Sequence, residues 1–396
     1  MDTFVTASTR AARPSISFKI IYVISVLFTF HTLLTAYSSS TYLEQYISTT
    51  GVGVLYALGS ILSIGLFLVL SSLLRKLGNT FLTSLLTTIA ITALIALGLG
   101  FMPLVAFVVF MGINPLLYLT IDIFSENTIG ENEGQTGQKR GLTLSLMAIA
   151  SVFAPLAMGV IAGEGNERLA HTYFAAAAVG VVFMSIVLVK FSRFADPVYP
   201  SVSPREMIRS LFVTRGIRGV IAAHFLLQFF FAWIVIYFPL YLATELGVPW
   251  DTLGLIIATG LLAYVFFEYP IGVLADRWWG EKEMMAAGFA ILALSSASIG
   301  FLAAVGTVGW MLVMFVSRIG ASLVEVTTES YFFKQVKSGD APLISLFRLT
   351  RPAANLAGAL AGSLVLLVVP FPLLFILLGI IMVPGIMLAA YLVDTK

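Results

Sequence analysis

The chain has 396 residues, of which 59% are hydrophobic and only 11% charged, with a formal net charge of +2. A mean hydropathy of +1.00 leaves too few charged side chains to coat a water-soluble core of this size, so a soluble globular protein is excluded. The charge balance carries no signal for nucleic acid, and the absence of cysteine removes disulfides, thiolate metal sites and a thiol nucleophile.

Bases at Arg10, Arg13 and Lys19 precede the first apolar run. That run continues past residue 30 without a small-residue cleavage site, so a cleavable signal peptide is not expected. Twelve apolar segments follow in chain order, at 19–39, 52–74, 80–99, 102–124, 141–163, 170–191, 218–243, 252–274, 284–304, 308–332, 342–369 and 371–393. Each is long enough to cross a hydrocarbon core about 30 Å thick. Lipid offers no partner to an unsatisfied backbone group, so the segments are read as helices. The widest polar gap, Ser192 to Ile217, holds Pro197, Pro200 and Pro204 and divides six segments from six. The expected organisation is therefore a six-helix bundle over 1–191, a linker over 192–217 and a second bundle over 218–396. Arg75 and Lys76, Lys139 and Arg140, Lys190 through Arg218, Arg277 and Lys282, and Lys334 and Lys337 fall in alternate connections. The opposite connections are nearly free of bases, Arg168 being the exception. The positive-inside rule then predicts a multi-pass protein of the cell membrane with both termini and the linker in the cytoplasm.

The segment Gly272 to Lys282, GVLADRWWGEK, has a weaker counterpart in Leu70 to Thr80, LSSLLRKLGNT. Arg75 falls on Arg277 and Gly78 on Gly280 at the same spacing. Asp122 and Glu126 in segment 4 recur as Glu325 and Glu329 in segment 10. Ala154, Leu156 and Ala157 recur as Ala354, Leu356 and Ala357. Parallel halves of this kind bind substrate at their interface near the bilayer midplane and alternate access by rocking.

GVLADRWWGEK resembles the G-x-L-A-D-R-x-G-R-K signature of the major facilitator superfamily, which lies on the loop between the second and third helices of a six-helix half. It departs in the extra Trp279 before Gly280 and in Glu281 where a base is usual; the N-terminal copy has Leu74 where the acid should be. The resemblance implies an all-α membrane protein of twelve transmembrane helices in two pseudo-symmetric six-helix bundles. It also implies that segments 1, 4, 7 and 10 line a cavity. Gly272, Asp276, Arg277, Lys282 and Arg75 then become a cytoplasmic gate, with Asp276 and Arg277 as a latch between the halves.

A charge inside the membrane costs about 2.5–3.5 kcal/mol on insertion scales, so each needs a reason. Arg318 falls near mid-bilayer in segment 10 and cannot be neutralised by losing its proton. Ser322, Glu325 and Glu329 follow it at helical spacing on one face. Arg318 is expected either to contact an anionic or carbonyl-bearing substrate or to pair with a buried acid such as Glu268. Glu268, Asp122 and Glu325 are candidate proton carriers; the alternative for Glu268 is a structural acid beside the signature loop. His31 in segment 1 and Gln228 in segment 7, the latter one turn from His224, are candidate substrate contacts, the alternative being plain hydrogen bonding within the fold. Asn114, Tyr118 and Asp122 make a polar stripe on segment 4, which Pro115 interrupts. Trp233 could stack on a planar ligand or simply pack. Pro155 and Gly159 look like the remnant of a G-P-x-x-G-G motif that accompanies exporters in the family; small-residue packing is the other reading.

No nucleotide-binding loop, metal-spaced His/Glu cluster or nucleophile elbow is present. An enzyme, a cofactor and a metal are therefore not expected. The expectation is a monomeric secondary active transporter of a small organic solute, with proton coupling the favoured drive and export the weaker lean. Uncoupled uptake of an anionic metabolite, and a transport-like sensor or scaffold, stand as alternatives. The expected partners are the solute, protons and membrane lipid.

Overall fold

The computed structural model describes residues 17–130, 136–199, 203–210, 215–275, 280–336 and 340–392. Each of the twelve expected segments falls on one long helix. In order these are α1 (Phe18–Ala36), α3 (Thr49–Leu77), α4 (Asn79–Gly98), α5 (Pro103–Gly130), α6 (Thr136–Ala162) and α7 (Leu169–Lys190), then α9 (Arg215–Leu240), α10 (Trp250–Leu274), α11 (Glu281–Ile299), α12 (Thr307–Gln335), α13 (Ala341–Leu366) and α14 (Phe371–Ala390). Two short helices, α2 (Ser39–Glu44) and α8 (Pro204–Ser210), lie between expected segments. Among the described residues, eleven helices are long and apolar enough to cross a membrane. The twelfth, α13, is 26 residues long but carries Arg348, Arg351 and Asn355. The fold is an all-helical multi-pass membrane architecture.

The repeat between the two signature turns is visible in the backbone. α3 ends at Gly78 with φ 76° and ψ 159°, and α11 is preceded by Gly280 with φ 78° and ψ 159°. Only glycine adopts this positive-φ, extended-ψ conformation without strain, which is why both turns keep it. The turns differ in how the following helix is capped. Leu74, in the place of the signature acid, is buried. The carboxylate at the start of α4 comes instead from Asp196, whose Oδ1 accepts from the Asn79 amide at 2.7 Å and from the Tyr199 hydroxyl at 2.6 Å. Tyr199 lies outside the spans; burial and the Asp196 bond hold its phenol well above the usual range, so it remains a donor at physiological pH. In α11, buried Glu281 accepts from Ser330 and pairs with Lys334 on α12.

Many hydroxyls within the spans bond their own helix. In α4, Thr83, Ser84, Thr87, Thr88 and Thr92 each donate to the carbonyl four residues back. This satisfies the side chain without a neighbour or water.

α1, α3, α4, α5, α6 and α7 pack on one another, as do α9 to α14. The two groups meet along α3–α13 and α6–α10. Arg75, Lys139, Lys190 and Lys334 share one end of the molecule, the basic end. At the opposite, base-poor end the helices approach closely. A Cβ on Gly53 of α3 would overlap Ser363 Oγ and the Ala359 carbonyl of α13. A Cβ on Gly254 of α10 would lie 2.5 Å from the Pro155 carbonyl of α6. The Trp250 amide donates to the Gly163 carbonyl at 3.1 Å, and its indole N–H donates to Asn166 Oδ1 at 2.7 Å. At the basic end, by contrast, a cleft opens among α1, α5 and α6, lined by residues that include Ser25, Tyr118, Asp122, Glu126 and Thr143.

Candidate functional site

Arg318 lies eleven residues into α12 from Thr307, about 17 Å along the helix at 1.5 Å per residue. It is 1% exposed. Its guanidinium lies over the rings of Phe230 and Phe231 of α9, 5.7 and 5.5 Å from their centroids, and its Cγ lies beside Gly260 of α10. A pairing with Glu268, one of the two alternatives for Arg318, does not form. Among the described residues no carboxylate is within ion-pairing distance of Arg318, and its Nε and Nη2 have no hydrogen-bond partner. α10 and α12 run side by side, so their polar residues descend together toward the basic end. Gly260 lies against Met314 and Arg318, and Gly272 faces Val326. Between these levels come Tyr264 and Ser322, both buried with unpartnered hydroxyls, and then the part-buried Glu268 and Glu325. Glu325 is within electrostatic range of Glu329, Arg351, Glu268 and Arg318.

A second polar group bridges the two sets of helices at the basic end. Arg348 Nη2 of α13 lies 2.6 Å from Asp122 Oδ2 and 3.7 Å from Glu126 Oε1 of α5. Asp122 is thus held by a base that sequence reasoning missed. One turn further on α13, Arg351 Nε donates to Gln228 Oε1 at 3.3 Å. This fixes the amide, so Gln228 Nε2 donates to His224 Nε2 at 3.2 Å. The His224 proton must then sit on Nδ1, which faces Thr350 Oγ1. Gln228 therefore lies in a chain of bonds that reaches the exposed Arg351. The signal for Arg348 and Arg351 was present: two bases inside an otherwise apolar segment, subject to the same cost that singled out Arg318.

The remaining predicted residues separate into two groups. Tyr118 lines the cleft with Asp122, and Asn114 Oδ1 accepts from Thr32 at 3.3 Å. His31 and Trp233, by contrast, do not face the cleft. His31 Nδ1 donates to the Ala176 carbonyl of α7 at 2.7 Å and the ring meets Phe110 edge-on. Trp233 is fully buried, and its indole N–H donates to the Gly358 carbonyl of α13 at 2.6 Å. Both reach backbone carbonyls on neighbouring helices, partners that hydropathy cannot foresee. In the expected gate, Gly272 lies within α10, Arg75 is exposed in the last turn of α3, and Lys282 pairs with its neighbour Glu283 at 3.6 Å. Asp276 and Arg277 lie outside the described residues. Gly159 packs against the Trp250 carbonyl and the Asp251 backbone, the small-residue reading of the Pro155–Gly159 remnant. Among the described residues no group of acids and histidines is arranged to hold a metal.

The fold is similar to that of solved membrane transporters. It superposes on a mutant form of the nucleoside transporter NupG with TM-score 0.76 and 13% identity, covering 95% of this chain and 99% of that one. A bacterial homologue of the iron transporter ferroportin in an inward-facing state gives TM-score 0.70 and 15% identity, with 94% and 96% covered. The POT family transporter PepTSo gives 0.72 and 13%, again with 94% and 96% covered. No curated protein matches the sequence at a significant level. Residues 220–396 match the family model of the Major Facilitator Superfamily. The C-terminal part of the chain is thus similar in sequence to that superfamily, and nearly the whole chain shares the fold of these solved structures.

Proposed function

We propose that the protein is a secondary active carrier of a small organic solute, driven by protons, in which two six-helix halves (1–191 and 218–396, joined by 192–217) rock about a site near Arg318. In this reading the basic end faces the cytoplasm and the base-poor end faces outward, following the distribution of bases. The observation that carries the coupling is the pair Glu268 and Glu325. Both lie in the spans on adjacent helices, within electrostatic range of one another, and among the described residues neither has a cation within ion-pairing distance. Carboxylates so placed can load and release protons as the cavity changes its access to water. Asp122 is the less favoured carrier, because Arg348 already neutralises it. No direction of transport is proposed, since close packing accounts for Gly159, on which the lean to export rested.

Purified protein in liposomes under an imposed pH gradient tests the reading. Solutes drawn from a metabolite panel should accumulate with the gradient in wild type. Glu268→Gln should lose accumulation while keeping solute exchange. Flux indifferent to the gradient would mean an uncoupled carrier; solute binding or partner capture without flux would mean a sensor or scaffold.

A further inference from the structure

We infer that the Nε–Nη2 edge of Arg318 is a carboxylate-binding site, so that the solute is a small organic monoanion; this rests on the carrier reading above. Nε and Nη2 are the two groups of Arg318 left buried without a partner. Together they form the side-on edge of a guanidinium, whose two parallel N–H bonds match the two oxygens of one carboxylate. Phe230 and Phe231 hold the group through their ring faces, which attract the cation but leave its N–H edge unused. One turn toward the basic end, the hydroxyls of Ser322 and Tyr264 are also buried and unpartnered, and Tyr264 lies within electrostatic range of Arg318. Four orphaned donors on one α10–α12 face are unusual, because buried polar groups are almost always paired. A carboxylate is acceptor-only, with about four lone-pair sites, and can serve all of them.

The surrounding charge selects a single negative charge. Arg348 is neutralised by Asp122, whereas Arg351 keeps its charge while its Nε donates to Gln228, and it lies within electrostatic range of Glu325. The next turn toward the basic end brings Glu268 and Glu325. At the Arg318 edge itself a dianion would therefore meet one guanidinium, with Glu268 and Glu325 one turn away and Arg351 set against Glu325. α2 packs on α9, and Tyr37 at the end of α1 lies within electrostatic range of Tyr264. The site is thus covered while the base-poor end is closed, and parting of that end would uncover it.

The test is equilibrium binding to the purified full-length protein of acetate, butanoate, benzoate and phenylacetate, each compared with its primary amide. At least one carboxylate should bind about tenfold or more tightly than its amide, and Arg318→Gln should abolish that preference. The double variant Tyr264→Phe/Ser322→Ala removes only hydroxyls and should reduce the preference about three- to tenfold; it decides the matter if Arg318→Gln does not fold. Absence of any carboxylate preference in wild type, or a preference unchanged in the variants, would overturn the site. Liposomes carrying the wild type, offered neutral and cationic solutes in parallel, separate the two claims. Flux of those solutes without a carboxylate preference sinks the site and leaves the carrier reading standing, whereas absence of flux for every class counts against the carrier itself.

Discussion

The two ends of the bundle are held shut, or left open, by opposite chemistry. At the base-poor end, glycines let α3 meet α13 and α6 meet α10 with backbone against backbone. At the basic end the link between α5 and α13 is an ion pair, Arg348 with Asp122 and Glu126, beside an open cleft. Close packing is short-ranged and has no tolerance for added atoms. A part-exposed ion pair is weak, screened by salt and easily exchanged for water. The rocking proposed above needs contacts that can be broken at each end, and these two contacts should yield to different perturbations.

The largest effect should come from overfilling the packed end. Gly254→Leu places a side chain where even a Cβ would stand 2.5 Å from a carbonyl oxygen, a cost of about 1–3 kcal/mol or more. It should part α6 from α10 and raise thiol labelling of a cysteine introduced at Thr50, in a chain with no cysteine of its own. Unchanged labelling in a folded variant would mean that the contact does not close this end.

A smaller effect is expected from the ion pair. The side chains of Arg348 and Asp122 are 34% and 21% exposed, so a double-mutant cycle of Arg348→Gln and Asp122→Asn should give a coupling of about 1 kcal/mol or less. The coupling should fall further in high salt. A salt-independent coupling of several kcal/mol would make the basic end as rigid as its opposite and erase the contrast.

The smallest effect concerns the turn that lost its signature acid. Asp196 is exposed and caps α4, so Asp196→Asn should lower thermal stability by about 0.3–1 kcal/mol and leave solute binding unchanged. A loss of transport with intact stability would instead assign the linker acid a part in the cycle.

How much of this was legible in the sequence follows from the range of each interaction. The twelve spans were readable because apolar length is a local property, and the observed helices begin and end within a few residues of the expected ones. Gly78 and Gly280 were readable because backbone conformation constrains residue type at a single position. The partners of polar residues were not. Nothing local distinguishes His31 and Trp233, which bond neighbouring carbonyls, from Tyr118, which lines the cleft. Asp196 caps a helix 117 positions away in sequence, and its role depends on contact alone. Arg348 and Arg351 were overlooked although the cost of a charge within a span marks them as clearly as Arg318.

In the rocking proposed above, the two ends move reciprocally. Electron-resonance distances between spin labels at Lys76 and Phe333 would report the basic end, and between labels at Tyr46 and Val368 the base-poor end, in wild type and in Gly254→Leu. With reciprocal motion, the substitution lengthens the Tyr46–Val368 distance and shortens the Lys76–Phe333 distance. Lengthening at the base-poor end with no change at the basic end would contradict it.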